Sequence, residues 1–463
     1  MFSSHTYASR REALRLAVGE GLILIFGNGD SSKNYLSNTY FFRQDSNFLY
    51  YFGLSHPDYV GVMDVDSGED MIFADDVTID DVIWMGSQPT VCELASEVGV
   101  RQSFSSAEVY TVVNRAIASG RKIHFLPPYR SERTLALATL LGIKTSRVAD
   151  YVSWDLVRAV VAQREIKSEQ EVVQIEIAQA TGYLMHTTAM KMCGQGVTER
   201  EIAGAIEGIA LQHGSGTSFM SIVTINGQTL HNHGYDNTLK DGRMLLVDAG
   251  AETVMNYCSD STRTMPVSGK FTQKQREIYQ IVLSANLRAK EIARAGVTYK
   301  SVHLEALKVM AEGLLALGLI KGSAEQAVLS GAVAMFMPHG LGHQMGLDVH
   351  DMEDLGERLV GYDATTERSS EFGLGALRMG KTLHAGHVIT VEPGIYFVPD
   401  LISKWKAENI CSDIINFANI ESYLDFGGIR LEDDILITEG GNRLLGEQHI
   451  PLSVAQVEDY MAK

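Results

Sequence analysis

The sequence is poor in cysteine and proline and has no long apolar run, and each shortage excludes a class of protein. Its 4 cysteines are scattered along 463 residues without a Cys-x-x-Cys pair, which excludes a disulfide framework and a thiolate zinc site. With 9 prolines and 45% hydrophobic residues, the chain is neither collagen-like nor disordered. No apolar run approaches the ~20 residues that a membrane-spanning helix requires.

Basic residues are outnumbered as well, because 39 Lys and Arg stand against 57 Asp and Glu, for a formal net charge of −18. Such a charge repels phosphate backbones and anionic lipid headgroups, so we expect neither nucleic acid nor a membrane as partner. The apolar run Leu22–Phe26 is too short for a signal peptide and is predicted to be a buried strand. The cytoplasm is therefore the expected location.

Two common motifs are missing. The pair Gly27-x-Gly29 lacks the third glycine and the following helix of a dinucleotide-binding fingerprint. No Gly-x-Ser-x-Gly occurs, which excludes the serine hydrolases that carry this motif.

The pattern along the chain indicates two domains. Residues 1–160 alternate strand-like and helical pieces, which predicts a smaller α/β domain. Residues 161–463 begin with a capping box, Ser168-x-x-Glu171, and then run helix, helix, sheet twice, which predicts an α+β domain of two similar halves. The strands expected in this second domain cover 244–249, 256–265, 387–397 and 429–438.

Four acidic residues stand inside these apolar strands: Asp248, Asp260, Glu392 and Glu432. Burial of an unpaired carboxylate costs several kcal/mol, and four of them on neighbouring strands repel one another unless a cation lies between them. Each residue taken alone could instead be a solvent-facing strand end or an ion-pair partner. All four together, each among apolar neighbours, favour a cation site.

Three histidines follow in the segment from His339 through His343 to His350. The i, i+4 spacing of the first two would suit a zinc-binding helix, but the intervening glycines and the missing glutamate argue against one. Each histidine alone could be an ordinary core or surface residue. With His343 as a neutral ligand, four carboxylates balance two divalent ions, and oxygen-rich ligation favours Mn²⁺, Co²⁺ or Fe²⁺. Arg430, next to Glu432, is predicted to orient a carboxylate.

The spacing of these five ligand candidates, with their flanking motifs, resembles the pita-bread metallopeptidases. Within that family, the chain is most similar to prolidase and aminopeptidase P, because residues 41–50 and Trp84-Met-Gly86 resemble their N-terminal domain. The resemblance implies a C-terminal pita-bread domain preceded by a smaller α/β domain. It also implies two divalent ions, with Mn²⁺ expected and Co²⁺, Fe²⁺ or Zn²⁺ as alternatives.

The same resemblance assigns roles to individual residues. It implies that Asp248 chelates one ion, that His343 and Glu392 hold the other, and that Asp260 and Glu432 bridge the two.

Glu392 would also carry a proton from the attacking water to the leaving nitrogen. His231 matches the family histidine near the scissile bond, with His233 as the substitute if that match is wrong. His350 matches the histidine that stabilises the developing oxyanion, and His339 would line the proline pocket.

The activity implied is cleavage of the bond between an N-terminal residue and proline, in a dipeptide or a longer peptide. Arg378 stands where prolidase carries its carboxylate-binding arginine, which favours an Xaa-Pro dipeptidase, although a solvated arginine is the alternative. Residues 351–356 depart from the glycine-rich continuation that is usual in prolidase. The alternatives are an aminopeptidase P, a metal-free creatinase-like hydrolase and a non-catalytic binding module.

Assembly follows from the resemblance too. Family members are commonly dimers or tetramers, so a homodimer or homotetramer is expected, with Trp84 lining the pocket of a neighbouring subunit.

Overall fold

The structure is a computed structural model that describes residues 1–462. The chain divides into two compact units, Met1–Arg164 with Asp354–Gly356, and Glu165–Glu353 with residues 357–462. No helix in residues 1–462 has both the length and the apolar character needed to cross a membrane.

The N-terminal unit is a mixed α/β structure. Its helices are α1 Ser4–Val18, α2 Ser46–Phe52, α3 Ile79–Met85, α4 Val91–Glu97, α5 Glu108–Ala118, α6 Ser131–Leu141 and α7 Trp154–Arg164, with a 3₁₀ turn at Thr145–Tyr151. Its strands are β1 Leu22–Phe26, β2 Val60–Asp64, β3 Asp70–Phe73, β4 Gln102–Phe104 and β5 Ile123–Phe125.

The five strands form one sheet in the order β4-β3-β2-β1-β5. Strand β1 pairs antiparallel with β2 and parallel with β5, so it lies inside the sheet. Its first four residues are all buried, which explains the unbroken apolar run, because a strand covered on both faces has no polar side. The predicted strand at Leu22–Phe26 is confirmed. Helix α3, in contrast, buries none of its residues, and Trp84 on it is 87% exposed.

The C-terminal unit contains the remaining elements. Its helices are α8 Glu169–Met192, α9 Glu199–His213, α10 Gln273–Ile292, α11 Tyr299–Ala316, α12 Ala324–Leu329, α13 Glu357–Val360, α14 Pro399–Ala407, α15 Phe417–Ile420 and α16 Val454–Met461. Its strands are β6 Gly216–Thr217, β7 Ile222–Thr224, β8 Met244–Asp248, β9 Ala251–Glu252, β10 Thr262–Pro266, β11 Val388–Val391, β12 Gly394–Tyr396, β13 Gly428–Arg430, β14 Asp433–Thr438 and β15 Gly441–Leu444. Short 3₁₀ turns cover Ala332–Met335, Glu353–Leu355, Leu374–Ala376 and Glu421–Tyr423.

The predicted order of helix, helix, sheet occurs twice. Helices α8 and α9 precede the β10-β8-β7 sheet, and α10 and α11 precede the β11-β14-β15 sheet. The predicted capping box at Ser168 is present: its side chain accepts from the backbone N–H of Glu171, whose carboxylate accepts from the Ser168 N–H. Both orphan donors are thereby satisfied at the start of α8.

Two predicted strands are interrupted where a site residue stands. The strand expected over 387–397 breaks into β11 and β12 at Glu392 and Pro393, since a proline has no N–H to donate to a neighbouring strand. The strand expected over 429–438 breaks into β13 and β14, because the Glu432 N–H leaves the ladder and donates to the Thr262 carbonyl at 3.1 Å. The prediction of continuous strands was wrong at these two points.

The strand expected over 256–265 begins later than predicted. Only Thr262–Pro266 pairs with β8, with Thr262 opposite Asp248. The preceding residues donate to other partners: Cys258 N–H to the Gly346 carbonyl, and Asp260 N–H to the Asp434 carboxylate at 2.9 Å. Asp260 therefore lies on a bent segment before the strand.

A buried ion network lies next to the strand break at Glu432. Asp433 accepts from Arg263 Nη2 and from Lys290 Nζ, both at 2.6 Å. The Arg263 and Asp433 side chains are only 2% and 5% exposed. Burial opposes ionisation of Asp433, but Arg263 and Lys290 outweigh it and hold the pKa of Asp433 well below its usual value.

We expect Asp433→Asn to lower the free energy of unfolding by about 3–5 kcal/mol at pH 7, because it leaves buried cations without their counter-charge. The matched control is Asp236→Asn, since Asp236 pairs with Arg200 at the surface and its loss should cost less than about 1 kcal/mol. Chemical denaturation followed by circular dichroism measures both.

The pH dependence of stability gives a second test on the same variant. A depressed pKa stabilises the fold above the ordinary aspartate pKa of about 4 and loses that contribution as the pH falls below it. The difference in free energy of unfolding between wild type and Asp433→Asn should therefore shrink on acidification. Equal free energies at pH 7 would contradict the role of Asp433 as the counter-charge of Arg263 and Lys290.

Candidate metal centre

Three ligand candidates from distant parts of the chain meet in the C-terminal unit. Asp260, His343 and Glu432 each offer one ligand atom, and these atoms lie within 4.8 Å of one another. All three residues are buried. Their separation in the sequence shows that the fold, and not a local motif, creates this group.

Glu392 and Asp248 extend the group. Glu392 Oε1 lies 3.8 Å from His343 Nε2, and Asp260 Oδ2 lies 3.5 Å from the same nitrogen. Asp248 is close enough to Asp260 for its negative charge to raise the pKa of Asp260. The structure thus brings together all five residues that the sequence predicts as metal ligands.

His343 is placed by a close approach of two backbone segments. A Cβ at Gly342 would lie 2.2 Å from the Thr390 carbonyl oxygen, so only glycine allows the contact. His343 N–H then donates to Thr390 Oγ1 at 3.1 Å, while its Nδ1 bonds the Gln344 carbonyl at 3.0 Å. Nε2 is therefore left to face the carboxylates. The segment is not helical, as the glycines predict.

The electrostatics of the group favour a bound cation. Burial, followed by the charge of Asp248, raises the pKa of Asp260 well above its usual value. Burial and the charges of Asp260 and Glu392 do the same for Glu432. Burial also raises the pKa of Glu392, to about 7, although His343 and Arg430 oppose the shift. These carboxylates are costly to ionise without an added positive charge.

Two observations test whether the donors fit divalent ions. Asp248 Oδ1 and Asp260 Oδ1 are buried and have no hydrogen-bond partner. Among ion pairs within residues 1–462, the Asp248–Arg430 pair is the one that joins a lysine or arginine to any of the four carboxylates. Four acidic groups with a single guanidinium and orphaned oxygens suit hard divalent cations, so the donor set fits. The alternative of solvent-facing strand ends or ion pairs describes only Asp248, which ends β8 and pairs with Arg430, and does not account for the other three.

Arg430 orients a different carboxylate from its sequence neighbour. Its Nη2 donates to Asp248 Oδ2 at 2.5 Å, its Nε to Thr262 Oγ1 at 3.1 Å and its Nη1 to the Tyr396 hydroxyl at 2.9 Å. Thr262 Oγ1 in turn donates to Glu432 Oε2 at 2.6 Å. One buried guanidinium therefore positions Asp248 directly and Glu432 through a threonine.

The carboxylates line a cavity of about 490 Å³. The predicted histidines and Arg378 line it too: His231, His233, His339, His343, His350 and Arg378. The apolar part of the wall consists of Phe219, Met220, Ile222, Leu230, Val349 and Ala376. Trp84 is not among the lining residues and lies on α3 of the N-terminal unit.

The histidines of the cavity differ in how firmly they are held. His339 Nδ1 donates to the Gly340 carbonyl at 2.7 Å and Nε2 accepts from the Tyr396 hydroxyl at 2.9 Å, so both ring nitrogens are engaged. Burial, with Arg430 nearby, lowers the pKa of His339 to about 3 and keeps it neutral. His231 and His233 are exposed at the cavity rim, with ring centroids 6.3 Å apart.

His350 packs edge-on against His343, with ring centroids 4.2 Å apart. Its Nδ1–H donates to Glu353 Oε2 at 2.6 Å, because a carboxylate can only accept. Burial and His343 lower the pKa of His350 to about 4.

Sequence reasoning missed three residues of this site: Tyr396, Glu353 and Thr262, the last of which bonds both Arg430 and Glu432. Tyr396 links His339 to Arg430, and its position two residues after Gly394 in a predicted strand gave a signal for burial but none for its partners. Glu353 contacts His350 and Arg378, and it stands within the segment whose departure from the glycine-rich pattern was apparent.

Binding of Mn²⁺ at pH 6.5 is expected to release protons, because the raised pKa values leave carboxylates protonated until a metal displaces their protons. The apparent affinity should rise as the pH passes the raised pKa of Glu392, about 7, and fall below it. Calorimetric titration in buffers of different ionisation enthalpy measures both quantities.

Loss of a residue that hydrogen-bonds to a metal ligand typically weakens metal binding by roughly 10–100-fold. Asp260→Asn should weaken Mn²⁺ binding by more than this, since it removes a charged ligand itself. Asp236→Asn, which changes a surface aspartate, should leave affinity and proton release unchanged. Wild-type affinity in Asp260→Asn would contradict its place in the centre.

Two family models match the chain. The model described as Metallopeptidase family M24 matches residues 173–439, and the model described as Aminopeptidase P, N-terminal domain, matches residues 7–124. The first match spans the five ligand candidates and more than half of the sequence.

Individual relatives and solved structures agree with these matches. A probable Xaa-Pro aminopeptidase of Coccidioides posadasii is 30% identical, over 94% of this chain and 93% of the relative. The human Xaa-Pro dipeptidase is 30% identical, over 96% of this chain and 90% of the relative. A structure of a variant of Escherichia coli aminopeptidase P superimposes with a TM-score of 0.82 at 28% identity, over 100% of this chain and 99% of that one.

The N-terminal α/β unit and the C-terminal unit with its acidic centre thus match proteins of one family along nearly their whole length. The chain belongs to metallopeptidase family M24 and combines its pita-bread fold with an aminopeptidase P-type N-terminal domain.

Proposed function

We propose that this protein is a metal-dependent exopeptidase that hydrolyses the bond between an N-terminal residue and proline. The observation that carries the proposal is the convergence of four carboxylates and one imidazole at a cavity large enough for a short peptide. Relatives named Xaa-Pro aminopeptidase and Xaa-Pro dipeptidase support the substrate class. A solved structure of Escherichia coli aminopeptidase P with the inhibitor Pro-Leu, at a TM-score of 0.80, supports it too.

The five ligands would hold two divalent ions, with Mn²⁺ as the expected metal. Asp248 would bind one ion, His343 and Glu392 the other, and Asp260 and Glu432 would bridge them. Bound ions of this kind lower the pKa of a shared water and polarise the attacked carbonyl. Arg430 and Thr262 keep two of these carboxylates in the orientation that ligation requires.

Glu392 would move the proton during the reaction. Glu392 lines the cavity, with its Oε1 3.8 Å from His343 Nε2, so its carboxylate would be within reach of a water and a substrate nitrogen in that cavity. In the proposed sequence the carboxylate accepts a proton from the attacking water and then gives it to the leaving proline nitrogen. Its neighbour Pro393 breaks the strand and lets the side chain reach the cavity.

Three histidines would handle the substrate. His231 at the rim would lie near the scissile bond, with His233 as the substitute for this role. His339, neutral and fixed by Tyr396, would form part of the wall against the proline ring. His350 lines the cavity beside His343 and would stabilise the developing oxyanion, the role that the family resemblance implies.

Arg378 favours dipeptide substrates. A free carboxylate one residue beyond the scissile bond needs a cation, and Arg378 lines the cavity with 39% of its side chain exposed. An aminopeptidase that accepts longer peptides is the second candidate, because some of the similar proteins are named probable Xaa-Pro aminopeptidase.

Two remaining candidates have less support. A metal-free creatinase-like hydrolase or a non-catalytic binding module would not need five ligand candidates at one cavity, four of them buried, with unpartnered oxygens on Asp248 and Asp260. We also propose a cytoplasmic homodimer or homotetramer in which the exposed Trp84 lines the pocket of a neighbouring subunit.

Turnover of short peptides tests the function. After loading with Mn²⁺, the protein should hydrolyse Gly-Pro and Gly-Pro-Gly but not Met-Ala-Gly, and a chelator should abolish the activity because the ligands alone cannot activate water. Asp260→Asn should be inactive on both proline peptides. Hydrolysis of Met-Ala-Gly at a comparable rate, or full activity in chelator, would contradict the proposal.

Arg378→Ala should reduce kcat/KM for Gly-Pro by about 10–100-fold, the effect of losing a charge-assisted contact, while Gly-Pro-Gly should lose less than about threefold. Steady-state kinetics on the two peptides measure the difference. Equal losses on both would remove the argument for a dipeptidase.

A further inference from the structure

Glu353 joins two of the residues assigned to substrate binding. Its Oε2 accepts from His350 Nδ1–H at 2.6 Å, and its Oε1 accepts from Arg378 Nε at 3.3 Å. The carboxylate therefore acts as a link between a group near the scissile carbonyl and a guanidinium 25 residues further along the chain.

Backbone hydrogen bonds and a buried ion pair fix the segment that carries Glu353. Glu353 N–H donates to the His350 carbonyl, and Asp351 N–H donates to the Gln344 carbonyl at 2.9 Å. Asp351 also accepts from the buried Lys167 ammonium at 2.8 Å. Met352 adopts φ +62°, a left-handed conformation that a non-glycine residue keeps only when its surroundings enforce it. Glu353 is thus presented from a fixed turn.

The contact with Arg378 leaves part of the guanidinium available. Glu353 engages Nε, on the side of the planar group, whereas a carboxylate ligand can bind the two terminal nitrogens in a fork. Arg378 lines the main cavity, and together with Glu353, His343 and His350 it also lines a small second pocket. Glu353 is therefore placed to orient the guanidinium without occupying the terminal nitrogens.

We propose that Glu353 is a positioning residue that sets the distance between His350 and Arg378. It thereby selects Xaa-Pro dipeptides, in which the proline itself carries the free carboxylate. This inference rests on the proposed Xaa-Pro peptidase function and adds the residue that determines its substrate length. A dipeptide would place its scissile carbonyl at His350 and its carboxylate at Arg378, at the distance that Glu353 sets. A longer peptide has no carboxylate at that distance from its scissile carbonyl.

The charge of Glu353 supports this role. The hydrogen bond from His350 lowers the pKa of Glu353 to about 2, and Arg378 adds to the effect although burial opposes it. The carboxylate is therefore ionised at neutral pH and accepts from both partners at once. A glutamine would accept from only one of them and would turn an N–H donor towards the other.

The test compares Glu353→Gln with Glu357→Gln. Glu357 lies four residues later and lines the same small pocket, but it pairs with Arg368 instead of His350 or Arg378. We expect Glu353→Gln to lower kcat/KM for Gly-Pro by about tenfold, mainly through KM, with less than about threefold loss for Gly-Pro-Gly. Glu357→Gln should leave the ratio between the two peptides unchanged.

A double variant tests whether Glu353 acts through Arg378. In the Arg378→Ala background, Glu353→Gln should cause little further loss of dipeptide preference, because the coupled residues are not additive. Mn²⁺ affinity and the thermal unfolding midpoint of Glu353→Gln should equal those of wild type, which separates positioning from a general structural defect.

Several outcomes would overturn the inference. Equal losses on both peptides, an unchanged ratio, or faster Gly-Pro hydrolysis in Glu353→Gln would each do so, the last because it would make Glu353 a competitor of the substrate carboxylate. Failure of the proposed function is distinguishable, since wild type would then hydrolyse neither proline peptide.

Discussion

Charge compensation is the constraint on which the rest of this structure depends. Asp248, Asp260, Glu392 and Glu432 converge where burial raises the pKa values of three of them, and Arg430 supplies a single positive charge. Such a group is expensive in a folded protein unless cations complete it. The acidic centre therefore explains both the metal dependence of the family and the irregularities of the surrounding strands.

The strand breaks and the bent segment place the ligand side chains at the centre. Glu392 and Glu432 each stand at a break between two short strands, and Asp260 lies on a bent segment before one. A regular strand would point alternate side chains to opposite faces, so several ligands could not reach one point. Hydrogen bonds that leave the ladder, such as Glu432 N–H to the Thr262 carbonyl, hold the chain in the bent paths.

Much of the centre could be predicted from the sequence, because an acidic residue inside an apolar strand conflicts with burial unless it has a function. The strand of Asp248 and the capping box at Ser168 are also local features, and the structure contains them. The strand breaks were not predictable, since they depend on tertiary hydrogen bonds.

Long-range partners were hidden for the same reason: Arg430 contacts Asp248 and not its neighbour Glu432, and Glu353 reaches Arg378 across 25 residues.

The central claim is that five side chains from separate segments enclose two cations. Anomalous diffraction from Mn²⁺-loaded crystals tests it most directly. The account predicts two manganese peaks roughly 3.5–4 Å apart, within ligand distance of Asp260, Glu432 and His343. No peak there, or manganese bound only at other side chains, would contradict it.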